Sequence, residues 1–360
     1  MTATPLKIGI LTFHEVFNPG AFLQAYATQT LLTRMGHDAE IINYNPPAHR
    51  YHPLSHALKQ KYFLPLRAKK WYDSFVRDIA FARSRKSHLK LSVLHKSRDD
   101  IARTHYDAVL VGADIVWNFK SKNLGMDPVY FGEGLSTDRL IAFAPSCGAC
   151  SVDDIIPEYA SKGLESFDSI SARDPNTAQV VEKACGRRPP VICDPTFHII
   201  DQIQDFPNED QRRDFILVYL LPGHHTSERL IQQALALSAK TGLPIYAVLY
   251  RQKWADKNII HCGPFEWLDL IRNATFVITN TFHGAIFSIL TKASFVLEYN
   301  ELIRSKTERM ISDAGLDARV FTEDSDLSAI FEVEIDYDRA FSYFRSEASK
   351  ALSYLSDALV

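Results

Sequence analysis

LKIGILTFHEVFNPGAFLQAYATQTLLTRMGHDAEIINYN, residues 6–45, decides the fold class. Residues 6–12 form a near-continuous apolar run, the pattern of a strand covered on both faces. The loop FHEVFNPG follows, and then AFLQAYATQTLLTRMG has the spacing of an amphipathic helix ended by Gly36. DAEIINYN supplies a second strand, closed by Pro46-Pro47. A strand, helix and strand in this order predict a βαβ unit and a parallel sheet.

The same alternation continues along the chain. YDAVLVGAD (106–114), RLIAFAPSCG (139–148) and SFDSISARD (166–174) read as strands with small or polar ends, TAQVVEKACG as a helix, and VICDPTF (191–197) closes the first half. A fresh series starts at FILVYLL (215–221). It continues through TSERLIQQALALSAKTG with Thr226 as its N-cap, LPIYAVLY, FEWLDLIRNA, TFVITN, HGAIFSILT, SFVLEYN and ELIRSKTERMISDAG. The expected architecture is α/β: two Rossmann-like lobes, 1–195 and 196–335, and a C-terminal helix from 336 to 360 that crosses back. A helical insert at 49–100 interrupts the first lobe.

That insert carries the most uneven charge. The chain is −3 overall, yet between His49 and Arg98 thirteen Lys or Arg face two Asp, a local +11. Tyr51, Tyr62, Phe63, Trp71, Tyr72, Phe75 and Phe81 are interleaved with them. The segment is either an amphipathic helical insert with a solvated basic face or a contact for anionic lipid or a phosphorylated substrate. Nucleic acid is not expected, because no reading motif accompanies the charge. No run of eighteen apolar residues suggests a membrane span. MTATPLKIGILTF lacks a charged leader and cleavable segment, so a cytoplasmic protein is expected. Five cysteines do not make a disulfide framework, and the Cys147/Cys150 pair has no second half-site at zinc spacing.

Ligands of open parallel sheets bind outside the carboxyl ends of the strands. In the first half those ends carry His14, Asn18 and Gly20; Gly112, Asp114 and Asn118; Ser146 and Gly148; Arg173 and Asp174. In the second half they carry His224, His225, Arg251, Asn280, Thr281, His283, Glu298, Tyr299, Asn300 and Arg304. There is no GxGxxG after the first strand and no P-loop, so neither a nicotinamide cofactor nor NTP hydrolysis is expected. Neither a metal nor a cofactor is expected. Asp324-Ser325-Asp326 precedes a helical stretch and reads as capping carboxylates. His283 stands between a strand end and a helix start. There it either exchanges a proton beside backbone N–H groups that hold an anion or is a loop histidine bonded to backbone. Arg173 either clamps a carboxylate or phosphate or pairs with Asp174 or another acid.

FNPGAFLQAYATQTLLTRMGHD, VGADIVWN, AFAPSCG, SISARDPNTAQVV, ICDPTF, ITNTFHGAIFSI and EYNELIRSKTERM resemble, in order and spacing, the motifs of the polysaccharide pyruvyl transferase family. The resemblance runs from about residue 6 to 315. It implies a fold similar to GT-B glycosyltransferases, phosphoenolpyruvate as donor substrate, and a sugar hydroxyl pair as acceptor. The product would be a pyruvate ketal on a bacterial surface glycan or its lipid-linked precursor. The family's catalytic His falls on His283 and its donor-binding Arg on Arg173. Many members have Arg-Leu-His where this chain has Thr281-Phe282-His283. The substrate contacts expected besides these are Asn18, Gly20, Asp114, Trp117, Asn118 and Ser146 in the first lobe, with Trp117 as a stacking face, and Asn280, Thr281, Gly284, Asn300 and Arg304 in the second. Alternatives on the same architecture are a nucleotide-sugar glycosyltransferase and a non-catalytic glycan-binding protein. A lipid-linked oligosaccharide acceptor would bring the basic insert to the inner face of an anionic membrane.

Overall fold

The computed structural model describes residues 4–47, 65–121, 126–203, 214–221 and 226–360, with backbone only at 65–71, 301, 302 and 305. His224, His225 and insert residues 49–64 lie outside the described residues. The chain divides into two compact units. The first holds Met1–Trp71, Ala82–His198 and Glu347–Val360, and the second Tyr72–Phe81 and Ile199–Ser346.

In the first unit, β1 (Lys7–Leu11) leads through α1 (Pro19–Arg34) to β2 (Asp38–Ile41). The helix α2 (Pro65–His88), whose residues 72–81 group with the second unit, and the short α3 (Arg98–Ile101) precede β3 (His105–Tyr106) and β4 (Ala108–Val111). Then come β5 (Ser136–Thr137), β6 (Leu140–Ala142), α4 (Glu158–Glu165), β7 (Ser169–Ile170) and α5 (Pro175–Cys185). The main sheet has the order β2-β1-β4-β6-β7, and every pairing is parallel. Strand order reverses between β1 and β4, so the crevice of this unit opens beyond Leu11 and Val111.

Helix α1 is less amphipathic than its sequence suggests. Twelve of its sixteen residues are buried, including Gln24, Thr28 and Gln29. Most of their polar groups are bonded inside: Gln24 Nε2 donates to Thr12 Oγ1 at 2.8 Å, Thr28 Oγ1 to Gln24 O at 2.8 Å, and Gln29 Nε2 to Lys90 O at 2.9 Å, while Gln24 Oε1 has no partner among the described residues. A buried amide costs little once such bonds are made.

The second unit repeats the plan. β8 (Ile216–Tyr219), α6 (Glu228–Thr241), β9 (Ile245–Val248), β10 (Lys257–Ile259), α7 (Pro264–Asn273) and β11 (Phe276–Thr279) form its first part. Then follow α8 (Phe282–Leu290), β12 (Phe295–Glu298), α9 (Glu301–Asp313), β13 (Val320–Phe321) and α10 (Leu327–Glu332). The order β10-β9-β8-β11-β12-β13 is the doubly wound arrangement of a Rossmann fold, again parallel throughout. Its reversal lies between β8 and β11, which fixes the crevice beyond Tyr219 and Thr279. The central strands β8, β11 and β12 are buried almost throughout, as strands covered on both faces must be.

The last helix, α11 (Tyr337–Ala358), is shared: residues to Ser346 group with the second unit and those from Glu347 with the first. Tyr337 OH donates to Ala293 O at 2.7 Å, and Tyr354 OH donates to Ala142 O at 2.9 Å. Among the described residues no helix is long and apolar enough to cross a membrane.

Candidate functional site

In the second unit the crevice is built by the loops after β8, β11 and β12. Asn280 is the first residue beyond β11, and its side chain is fully buried. Its Oδ1 accepts from Leu221 N at 2.8 Å and its Nδ2 donates to Thr226 Oγ1 at 2.9 Å. Asn280 therefore ties both flanks of the β8–α6 loop to the end of β11. Thr226 spends its hydroxyl on that bond. The N-cap of α6 is Ser227, whose side chain accepts from Leu230 N at 3.1 Å, one residue later than expected.

Thr281 caps α8, accepting from Gly284 N at 3.0 Å. His283 is thereby fixed on the first turn of a nine-residue helix, 8% exposed, beside Phe287 at 6.5 Å between ring centroids. A helix start offers N–H groups with no partner inside the helix, and its dipole favours negative charge. Gly284 is required by close approach: a Cβ there would stand 2.2 Å from Thr279 Oγ1 and 2.4 Å from Thr281 Oγ1.

Beyond β12 the chain presents Glu298, Tyr299 and Asn300. Asn300 caps α9 by accepting from Ile303 N at 3.0 Å. Arg304, one turn on, is exposed and lies 5.5 Å above the Tyr299 ring. Glu298 is 6% exposed, and its Oε1 accepts from Ser227 N at 2.9 Å. Burial raises its carboxyl, and the Ser227 bonds oppose that shift. A cavity of about 790 Å³ opens beside these groups, and Arg229, Glu298, Tyr299 and Arg304 are among its walls.

In the first unit the expected residues have mostly internal partners. Asn18 caps α1, its Oδ1 accepting from Gly20 N at 2.9 Å and Ala21 N at 3.3 Å. Asp114 has left-handed backbone (φ 68°), and its Oδ1 accepts from Ile115 N at 2.8 Å. Asn118 Oδ1 accepts from Lys120 N at 3.2 Å and from Cys150 Sγ at 3.3 Å. Ser146 is fully buried, donating to Asp174 Oδ2 at 2.7 Å while its Oγ accepts from Gly148 N, so it joins strand ends.

Trp117 is not a stacking face. It is 2% exposed, its Nε1 donates to Tyr130 O at 2.9 Å, and its ring stacks on Phe131 at 6.1 Å. The thiols of Cys147 and Cys150 are free and buried, and burial pushes Cys147 up to about 12, which makes it inert as a nucleophile at neutral pH.

Arg173 pairs with Asp194, not Asp174: Nη1 to Oδ2 is 3.0 Å, with side chains 5% and 0% exposed. Asp194 Oδ1 also accepts from Thr196 N at 3.1 Å and Thr196 Oγ1 at 2.8 Å. Asp174 instead caps α5, accepting from Thr177 N at 2.8 Å. Asp194 was not singled out from the sequence. Its signal was the ICDPTF motif itself, an acid in an otherwise buried stretch. Glu298 had a similar signal, an acid closing the apolar run FVL.

The family model described as polysaccharide pyruvyl transferase matches residues 18–301. The chain belongs to the polysaccharide pyruvyl transferase family. The match runs from the cap of α1 to the start of α9 and so takes in Arg173, Asp194, His283 and Glu298. No curated protein matches the chain. Among solved structures, Arabidopsis thaliana UGT89C1 complexed with quercetin shares the fold at a TM-score of 0.51 and 10% identity, over 99% of this chain and 100% of that one. Methanocaldococcus jannaschii UDP-GlcNAc 2-epimerase matches at a TM-score of 0.48 and 13% identity, over 97% of this chain and 99% of its own. The pyruvyl transferase family thus supplies the transferase class, and the UGT89C1 likeness the two-unit α/β fold.

Proposed function

We propose that the protein transfers the enolpyruvyl group of phosphoenolpyruvate onto a pair of sugar hydroxyls, forming a pyruvate ketal on a bacterial surface glycan or its lipid-linked precursor. The observation that carries this reading is His283 on the first turn of α8, at the reversal of strand order, inside the family's ITNTFHGAIFSI motif. The reaction needs a proton on C3 of the enol, an electron-poor C2, attack by one hydroxyl, departure of phosphate and closure by the second hydroxyl. His283 exchanges the proton with C3 or with the attacking hydroxyl, a contribution of roughly 10²- to 10⁴-fold. The N–H groups at the start of α8 suit one anionic group of the donor. Arg173 is assigned the other on the resemblance alone; its Nη1 donates to Asp194 Oδ2 at 3.0 Å. Holding donor and acceptor in reacting orientation is the larger contribution, about 7–11 kcal/mol.

The test measures phosphate release from phosphoenolpyruvate with candidate glycan acceptors, alongside thermal shift. Phosphoenolpyruvate stabilises the protein, UDP- and GDP-sugars do not, and His283→Ala lowers turnover at least about 100-fold. Full turnover in His283→Ala removes the mechanism. Stabilisation by UDP-sugars in place of phosphoenolpyruvate would favour the nucleotide-sugar glycosyltransferase that the fold also accommodates.

A further inference from the structure

In the first unit, β3 and β5 form a separate two-stranded ribbon beside the main sheet. They pair in parallel, His105 opposite Ser136 and Tyr106 opposite Thr137. Side chains alternate between the faces of a strand, so His105 and Asp107 share one face. Continuing the register sets Asp138 opposite Asp107, and Asp138 N donates to Tyr106 O at 3.3 Å, which holds the strands together at that point. The ribbon thus gathers an imidazole and two carboxylates whose ligand atoms all lie within 4.8 Å of one another. Asp138 stands 31 residues after Asp107, so the grouping has no signature in the letters. It also lies away from the crevice: Asp107 immediately precedes β4, and the crevice opens beyond Val111 at the other end of that strand.

The three groups are arranged as donors to a cation rather than as partners of one another. His105 Nδ1 lies 3.2 Å from Ser136 Oγ. In the tautomer that donates there, the Nε2 lone pair faces Asp138 Oδ1 at 3.4 Å. A histidine ligand is usually oriented in this way, by a bond from its other ring nitrogen. The separation is also about the 3.4 Å edge of a tetrahedron built on a metal with ligands at about 2.0–2.1 Å. Asp107 and Asp138, two carboxylates within 4.8 Å, repel each other unless a positive charge stands between them. Asp107 makes no ion pair among the described residues; its Oδ2 accepts from Lys7 N at 2.6 Å. The Lys7 ammonium is directed elsewhere, to His105 O at 3.4 Å and over the Tyr106 ring at 4.8 Å. The side chains of His105 and Asp138 are 55% and 68% exposed, so an ion from solvent reaches them. One imidazole favours zinc over magnesium or calcium, which take oxygen shells.

We propose that His105 Nε2 and the carboxylates of Asp107 and Asp138 bind one Zn²⁺, with water completing the shell, and that the ion clips β3 to β5. The site is independent of the transferase reading and takes no part in its chemistry. The experiment uses the full chain without an affinity tag, freed of metal by a chelator and titrated with ZnCl₂ alone, by calorimetry and thermal shift. One Zn²⁺ binds per chain and raises Tm, because a ligand of the folded state stabilises it. His105→Ala and Asp138→Asn each weaken binding at least about 10-fold, and Ser136→Ala, which keeps all three ligands, weakens it by about 10-fold. His105 and Asp138 are exposed, so neither variant opens the core, and metal-free melts of both fall within a few degrees of the parent. Titrations with MgCl₂ and CaCl₂ give weaker binding than ZnCl₂. Absence of Zn²⁺ binding, binding undiminished in both ligand variants, or equal binding of Mg²⁺ or Ca²⁺ overturns the proposal.

Discussion

An alanine at position 284 would drive its Cβ into two threonine hydroxyls at 2.2 and 2.4 Å, although alanine normally favours a helix over glycine. Overpacking of this kind costs about 1–3 kcal/mol. Gly284→Ala is therefore expected to lower Tm by several degrees and to displace the first turn of α8, cutting turnover as well; an unchanged melt would show that Thr279 and Thr281 give way. His198 offers a pH test. Burial pushes its imidazole from 6.5 down to about 4, against the pull of Asp194. The unfolded chain binds a proton between those values while the folded one does not. The stability this histidine contributes is thus complete above pH 6.5 and lost as pH falls toward 4, by about 3 kcal/mol at most. Thermal melts across that window should slope less steeply in His198→Gln than in the parent protein.

Helix starts show how much local chemistry the letters carry. Asp326 caps α10 from an exposed position, accepting from Ser328 N at 2.8 Å and Ala329 N at 3.3 Å. Asp174 caps α5 while buried, and also takes the Ser146 hydroxyl. Asp326→Ala should cost about 1 kcal/mol. Asp174→Ala should cost about 1–3 kcal/mol more, because the serine hydroxyl is left buried without its acceptor; equal denaturation midpoints would refute the distinction. The Asp326 cap, the βαβ alternation and the position of His283 are legible in sequence because capping and periodicity act over a few residues. Where partners come from afar, legibility ends. Thr226 and Ser227 are interchangeable as letters, and only Asn280 and Glu298 decide which one caps α6. Trp117 looks like a sugar platform until Phe131 and Phe167 cover it. Arg173 was read either as an anion clamp or as the partner of Asp174 or another acid, and only the fold shows that the acid it pairs with is Asp194, 21 residues on.

The charge of the chain is distributed so that one region differs from all others, and among the described residues part of it is met by ion pairs. Within 49–98, Arg85 pairs with Glu15 at 3.3 Å, Lys90 with Asp38, and Arg98 with Glu133. The acid Asp73 is committed in turn to Arg251 at 2.6 Å and His261 at 2.9 Å, so it does little to offset the segment's own lysines and arginines. More cations than these pairs consume are present in the sequence of the segment. Each basic residue held near an anionic leaflet is worth about 1 kcal/mol, and the attraction fades over about 10 Å at 0.1 M salt. If the acceptor is lipid-linked, this excess is the feature that would hold the enzyme at the surface where it resides. Flotation with phosphatidylserine-containing vesicles should retain the protein at low ionic strength, release it toward 0.5 M salt at the order-of-magnitude level set by screening, and fail with zwitterionic vesicles. Replacing Lys59, Lys61, Arg67, Lys69 and Lys70 by Gln should abolish retention while leaving turnover on a water-soluble acceptor intact. Retention that ignores both salt and these substitutions would mean that the basic segment is a solvated face with no membrane role.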